Sequence, residues 1–199
     1  MDGVLTRGQR YGYAASLALT FTRLVLAAPF IWIGIERGAG KTAAIVLVLG
    51  FVSDVYDGIV ARRFGVATAG LRRLDSAVDT VFYLAAAFCL WRLHPEAIVS
   101  HRWLIVAVIG TLVIDHAFEV WKFGREASYH AWLAKAWGAA LFVALVFLFV
   151  AGDDWLLTIA LWVGIASHVE NLLITSRLSE CRSDVKSIFH VMRYPNIAS

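Results

Sequence analysis

Six runs of mostly apolar residues, each about 20 long, fill most of this 199-residue chain, and a helix of that length crosses the roughly 30 Å hydrocarbon layer of a membrane. No other feature narrows the possible folds as much. Inside a bilayer the backbone must satisfy its own hydrogen bonds, which apolar runs joined by short polar loops do as helices. The runs lie near residues 13–35, 42–62, 71–91, 103–120, 133–150 and 155–174, with a polar tail from about 175. They predict an all-α, polytopic membrane protein with about six transmembrane helices. The composition agrees, with 60% of residues hydrophobic and 17% charged, against about 25% charged in an average soluble domain. A disordered chain and a soluble globular enzyme are both excluded. No internal repeat and no linker rich in Pro, Gly or Ser divides the chain, so residues 1–199 read as one domain. The first run is expected to be retained rather than cleaved as a signal.

Charge sets the expected orientation. Arg7, Arg10, Arg62, Arg63, Arg72, Arg73, Lys122, Arg125, Arg177, Arg182, Lys186 and Arg193 fall on one side, and only Arg37, Lys41, Arg92 and Arg102 on the other. Basic residues collect on the cytoplasmic side of membrane proteins, so both termini, the tail and the second and fourth loops are expected there. Trp91, Trp103, Trp121 and Trp155 stand at predicted span ends, where amphipathic rings favour the interface. The formal net charge of +3 is thereby read as orientation, and no nucleic-acid partner is expected. Cys89 and Cys181 lie far apart and give neither metal-ligand spacing nor a disulfide framework.

Against this apolar background one acidic segment stands out. Asp54 and Asp57, spaced i, i+3, share a face near the end of the second span, and Asp75 and Asp79, spaced i, i+4, share a face at the start of the third. The loop between them is short, so the helices run antiparallel and four carboxylates meet at one membrane surface. One Asp near mid-membrane costs about 2.5–3.5 kcal/mol on insertion scales. Nearby Arg62, Arg63, Arg72 and Arg73 offset part of the charge, and a pair of divalent cations bound through hard oxygen ligands, Mg²⁺ or Mn²⁺, best explains all four, the alternative being a salt-bridged cap on a helical hairpin. Further polar residues in the spans are Arg23, Asp115, Glu119, Lys135, His168, Glu170 and Asn171. Their ordinary reading is interhelical pairing, for instance Lys135 with Glu119. His116 and His168 lack a second ligand at zinc-site spacing. The tail reads as solvated or facing headgroups.

The acidic segment resembles the signature of the CDP-alcohol phosphotransferases, D-x2-D-G-x2-A-R, eight residues, then G-x3-D-x3-D. Asp54-Val-Tyr-Asp57-Gly58-Ile-Val-Ala61-Arg62 matches the first half, and Asp75-Ser-Ala-Val-Asp79 matches the final pair at the expected distance. Leu71 stands where the signature has its second glycine. A weaker echo is Thr20-Phe-Thr-Arg23, similar to an L-T-x-x-R element that often opens these enzymes, with Leu17 in place of the asparagine usually before it.

The resemblance implies a membrane transferase that moves a substituted phosphoryl group from a CDP-alcohol, such as CDP-diacylglycerol, to an acceptor alcohol with release of CMP, in phospholipid synthesis. It implies Asp54, Asp57, Asp75 and Asp79 as metal ligands for two Mg²⁺ or Mn²⁺ ions, with Asp79 also the general base. Gly58, Ala61 and Arg62 would bind the nucleotide. Arg23, Arg125 and Lys135 are candidates to hold a phosphate on the acceptor, glycerol 3-phosphate being the preferred example. A homodimer in a bacterial cell membrane, surrounded by lipid and with its site facing the cytoplasm, completes the expectation. Two other classes compete. A family member that binds nucleotide without turnover is suggested by Leu71, and a divalent-cation transporter by intramembrane carboxylates. Transport sites lie near the midplane, often within repeats, whereas these carboxylates lie at one surface.

Overall fold

The computed structural model describes residues 6–66, 68–125, 129, 131–180, 185 and 187–193, and among these the regular structure is entirely helical. The elements are α1 (Arg7–Glu36), α2 (Gly40–Arg63), α3 (Ala69–Leu93), α4 (Pro95–Ser100), α5 (Arg102–Phe123), α6 (Trp132–Ala151), α7 (Trp155–Arg177) and α8 (Ile188–Arg193). Six of them, α1, α2, α3, α5, α6 and α7, are long and apolar enough to cross a membrane. Each contains one expected span and extends past it at one or both ends. Thr6 starts α1 with a capping box, its hydroxyl accepting from Gln9 N and its own N–H donating to the Gln9 side chain. Thr68 accepts from Leu71 N and starts α3, which places Asp75 and Asp79 in its second and third turns. Gly124 and Gly152 end α5 and α6 at φ 69° and 78°, a left-handed conformation that costs a residue without Cβ little.

The helices group into two compact units, Met1–Pro95 and Glu96–Ser199. In the first, α1 packs on both α2 and α3 through one face made of Gly12, Ser16, Thr20, Arg23, Ala27, Phe30 and Ile33. Phe82 of α3 is the centre of the packing, 1% exposed, edge-on to Phe30 and seated on Gly50 of α2. Small residues at such contacts let helix backbones approach closely, which drives association where lipid offers no hydrophobic contrast. Ser53 Oγ donates to Leu19 O at 2.6 Å and fixes the register of α2 on α1.

In the second unit α7 packs on α5 and α6, with Gly164 under the Trp137 indole and His101 Nε2 against Thr158 Oγ1 at 2.7 Å. Lys122 donates to the carbonyls of Thr175 and Ser176, satisfying the end of α7. The tail differs from expectation. Leu178, Val185 and Val191 are buried with Tyr129 and Ile174, and Ile188 N donates to Glu170. These described residues of the tail pack apolar side chains against Ile174 of α7 and Tyr129, a burial that the polar reading of the segment did not anticipate.

Candidate active site

The four aspartates predicted to converge do so, and what holds them together is Arg23. This side chain is 1% exposed, and its Nη1 donates to Asp54 Oδ1 at 2.9 Å and its Nη2 to Asp57 Oδ2 at 2.6 Å. The same two nitrogens also donate to Asp79 and Asp75 respectively. One guanidinium from α1 therefore pairs with carboxylates of α2 and α3. Arginine suits the position because its planar fork donates in several directions at once. With all four carboxylates ionised, the single guanidinium leaves a formal charge of −3, a repulsion that a bound cation would relieve.

The carboxylates are not equivalent. Asp54, Asp75 and Asp79 are partly open, and each offers an oxygen within 4.8 Å of the others. Asp57 is buried, with Ser16 Oγ donating to Oδ1 at 2.9 Å and Thr20 Oγ1 to Oδ2 at 2.7 Å. The donor set fits a divalent cation. Its ligand atoms are hard carboxylate oxygens, three lie close enough to share one small ion, and the uncompensated charge is negative.

Gly58, Ala61 and Arg62 follow Asp57 on α2. A Cβ on Gly58 would lie 3.1 Å from Arg62 Nη1, so the glycine leaves room for the arginine to fold along its own helix with its head exposed. Ala61 is buried beneath this stretch with Val66 and Leu71, and Tyr13 and Leu17 pack on them. The two positions that depart from the signature, Leu17 and Leu71, thus belong to one apolar cluster. Leu71, at the glycine position, is 4% exposed within this cluster.

Of the residues considered for an acceptor, Arg23 lies among the carboxylates, Arg125 is exposed just after α5, and Lys135 is exposed with its ammonium 5.3 Å from the Trp132 ring centroid. In the second unit Asp115 Oδ2 faces His168 Nδ1 at 3.5 Å and accepts from Asn171 at 3.2 Å, both within the unit's interior. His116 Nδ1 meets the Leu112 carbonyl of its own helix. Sequence reasoning missed Ser16 and Thr20 as partners of Asp57. A signal was present, since Gly12, Ser16, Thr20 and Arg23 follow i, i+4, i+8 and i+11 and form one small or polar face on an otherwise apolar span.

A family model described as CDP-alcohol phosphatidyltransferase matches residues 14–169. The matched stretch contains Arg23 and all four aspartates. No curated protein and no solved structure matches the chain.

Proposed function

This chain belongs to the CDP-alcohol phosphatidyltransferase family, and on that premise we propose that it transfers a phosphatidyl group from CDP-diacylglycerol, or a closely related CDP-alcohol, to an acceptor alcohol with release of CMP. The observation that carries the reading is the convergence of Asp54, Asp57, Asp75 and Asp79 around Arg23, with three oxygens positioned to share a small cation.

The acceptor hydroxyl oxygen bonds to the phosphorus that bears the diacylglycerol, and the bond from that phosphorus to the oxygen bridging to CMP breaks. CMP leaves with the bridging oxygen, and the hydroxyl proton needs a base. Asp79 is that base. Its Oδ1 is held by Arg23, which orients the carboxylate so that Oδ2 takes the proton. Arg62, exposed beside Gly58, binds a donor phosphate, and the small Gly58 and Ala61 allow the nucleotide to lie against α2. Asp54, Asp57, Asp75 and Asp79 would hold Mg²⁺ or Mn²⁺, and the chemistry these ions supply is neutralisation of the diphosphate and polarisation of its phosphorus–oxygen bonds. Arg23 limits repulsion among the four carboxylates before any substrate arrives.

The test is direct. Purified protein is incubated with CDP-diacylglycerol, Mg²⁺ or Mn²⁺ and a panel of alcohols including glycerol 3-phosphate, and CMP is followed. Metal-dependent release that requires one of the alcohols is expected. Donor binding without release from any member of the panel would instead favour a nucleotide-binding protein without turnover, the reading to which Leu71 points.

A further inference from the structure

Asp57 is held differently from its three neighbours. It is 4% exposed, and both oxygens accept hydrogen bonds from α1: Oδ1 from Ser16 at 2.9 Å, and Oδ2 from Thr20 at 2.7 Å and Arg23 at 2.6 Å. Ser16 and Thr20 are themselves fully buried, one helical turn apart on the face that meets α2. Thr20 Oγ1 also lies 3.1 Å from the Ser16 carbonyl, but its single proton favours the carboxylate, where the bond is shorter and charge-assisted. Arg23 Nη2 donates to Oδ2 and to Asp75 alike, which ties the clamped carboxylate to the three whose oxygens could share a cation.

We infer that Ser16 and Thr20 are positioning residues for a metal centre, their hydroxyls fixing the plane of the Asp57 carboxylate and, through the Arg23 nitrogen it shares with Asp75, the placement of the carboxylates toward a divalent cation. The inference rests on the transferase reading above and specifies how one of its ligands is aimed. Without the two donors, rotation about the last side-chain bond would let either oxygen turn outward and leave the other buried without a partner. Hydroxyls suit the task because they orient the carboxylate without cancelling the negative charge that a cation needs. The Ser53 bond to the Leu19 carbonyl keeps the clamp in register with its target.

The experiment measures Mn²⁺ binding by electron paramagnetic resonance on the full chain in detergent, without nucleotide. Ser16→Ala and Thr20→Val remove one donor each at nearly constant shape. Each is expected to weaken Mn²⁺ binding by about 10–100-fold, the usual effect of losing a partner that orients a ligand. Thr20→Ser, which restores a hydroxyl, is expected to bind nearly as the parent does. Unchanged Mn²⁺ binding in Ser16→Ala and Thr20→Val overturns the inference. So does a Thr20→Ser protein as impaired as Thr20→Val, because packing rather than the hydroxyl would then be responsible. If Thr20→Val does not fold, Ser16→Ala and Thr20→Ser carry the comparison. Release of CMP by the parent, with Mn²⁺ binding unaltered in the variants, defeats the positioning role alone. Weakened Mn²⁺ binding in the variants of a parent that releases no CMP supports the positioning role and defeats the transferase reading.

Discussion

Asp79 and Arg23 make opposite demands on the same few ångströms, and substitutions separate them. Asp79→Asn keeps size and a carbonyl oxygen but takes up no proton near neutral pH. Turnover is expected to fall by about 10²–10⁴-fold, the range of general-base help, while calorimetry still detects metal-dependent CDP-diacylglycerol binding. If donor binding falls in step with turnover, Asp79 acts chiefly as a ligand. Arg23→Gln removes the one cation that touches all four carboxylates. Leaving buried charge uncompensated costs about 3–5 kcal/mol, so the variant should melt well below the parent in detergent with EDTA. Mn²⁺ should raise its melting temperature more than the parent's, because added cations replace the missing charge. Equal melting curves in EDTA would show that Arg23 does not stabilise the cluster.

At the scale of elements, the site depends on how closely three helices approach. A Cβ on Gly50 would run into the ring of Phe82, which also packs edge-on with Phe30. Gly50→Ala must push α2 away from α3, and overpacking of this kind costs about 1–3 kcal/mol. Gly138 on α6 meets nothing within 4 Å, so Gly138→Ala should cost nothing and serves as the control. Thermal unfolding of the two variants in detergent checks the contrast, and equal stabilities would count against Phe82 as the packing centre. The cluster that holds Leu71 belongs to this scale too. Leu17 and Leu71, each read alone, are isolated departures from a signature. In the fold Leu71 is buried with Ala61 and Val66, and Leu17 packs against that cluster.

For the molecule as a whole, the expectation concerns which side of the membrane bears the carboxylates. The excess of Lys and Arg flanking one set of span ends predicts that the loop between α2 and α3 faces the cytoplasm. Single cysteines placed from 63 to 70, on a background lacking Cys89 and Cys181, should resist an impermeant thiol reagent in intact cells and react after lysis. Ready labelling of intact cells would put the site on the wrong side for cytoplasmic CDP-alcohols.

The sequence by itself determined the number of spans, their approximate limits and the meeting of the four aspartates. Spans are legible because a bilayer imposes one length and one backbone solution. The aspartates are legible because both pairs sit on helices joined by a short loop, so local spacing nearly dictates their distance. It could not reveal that Arg23 reaches all four, that Ser16 and Thr20 hold Asp57, or that the tail buries Leu178 and Val191. The contacts of Ser16, Thr20 and Arg23 join residues 31 to 56 positions apart. Periodicity can say which residues share a face of α1, but only the packing of α1 against both α2 and α3 decides what that face touches.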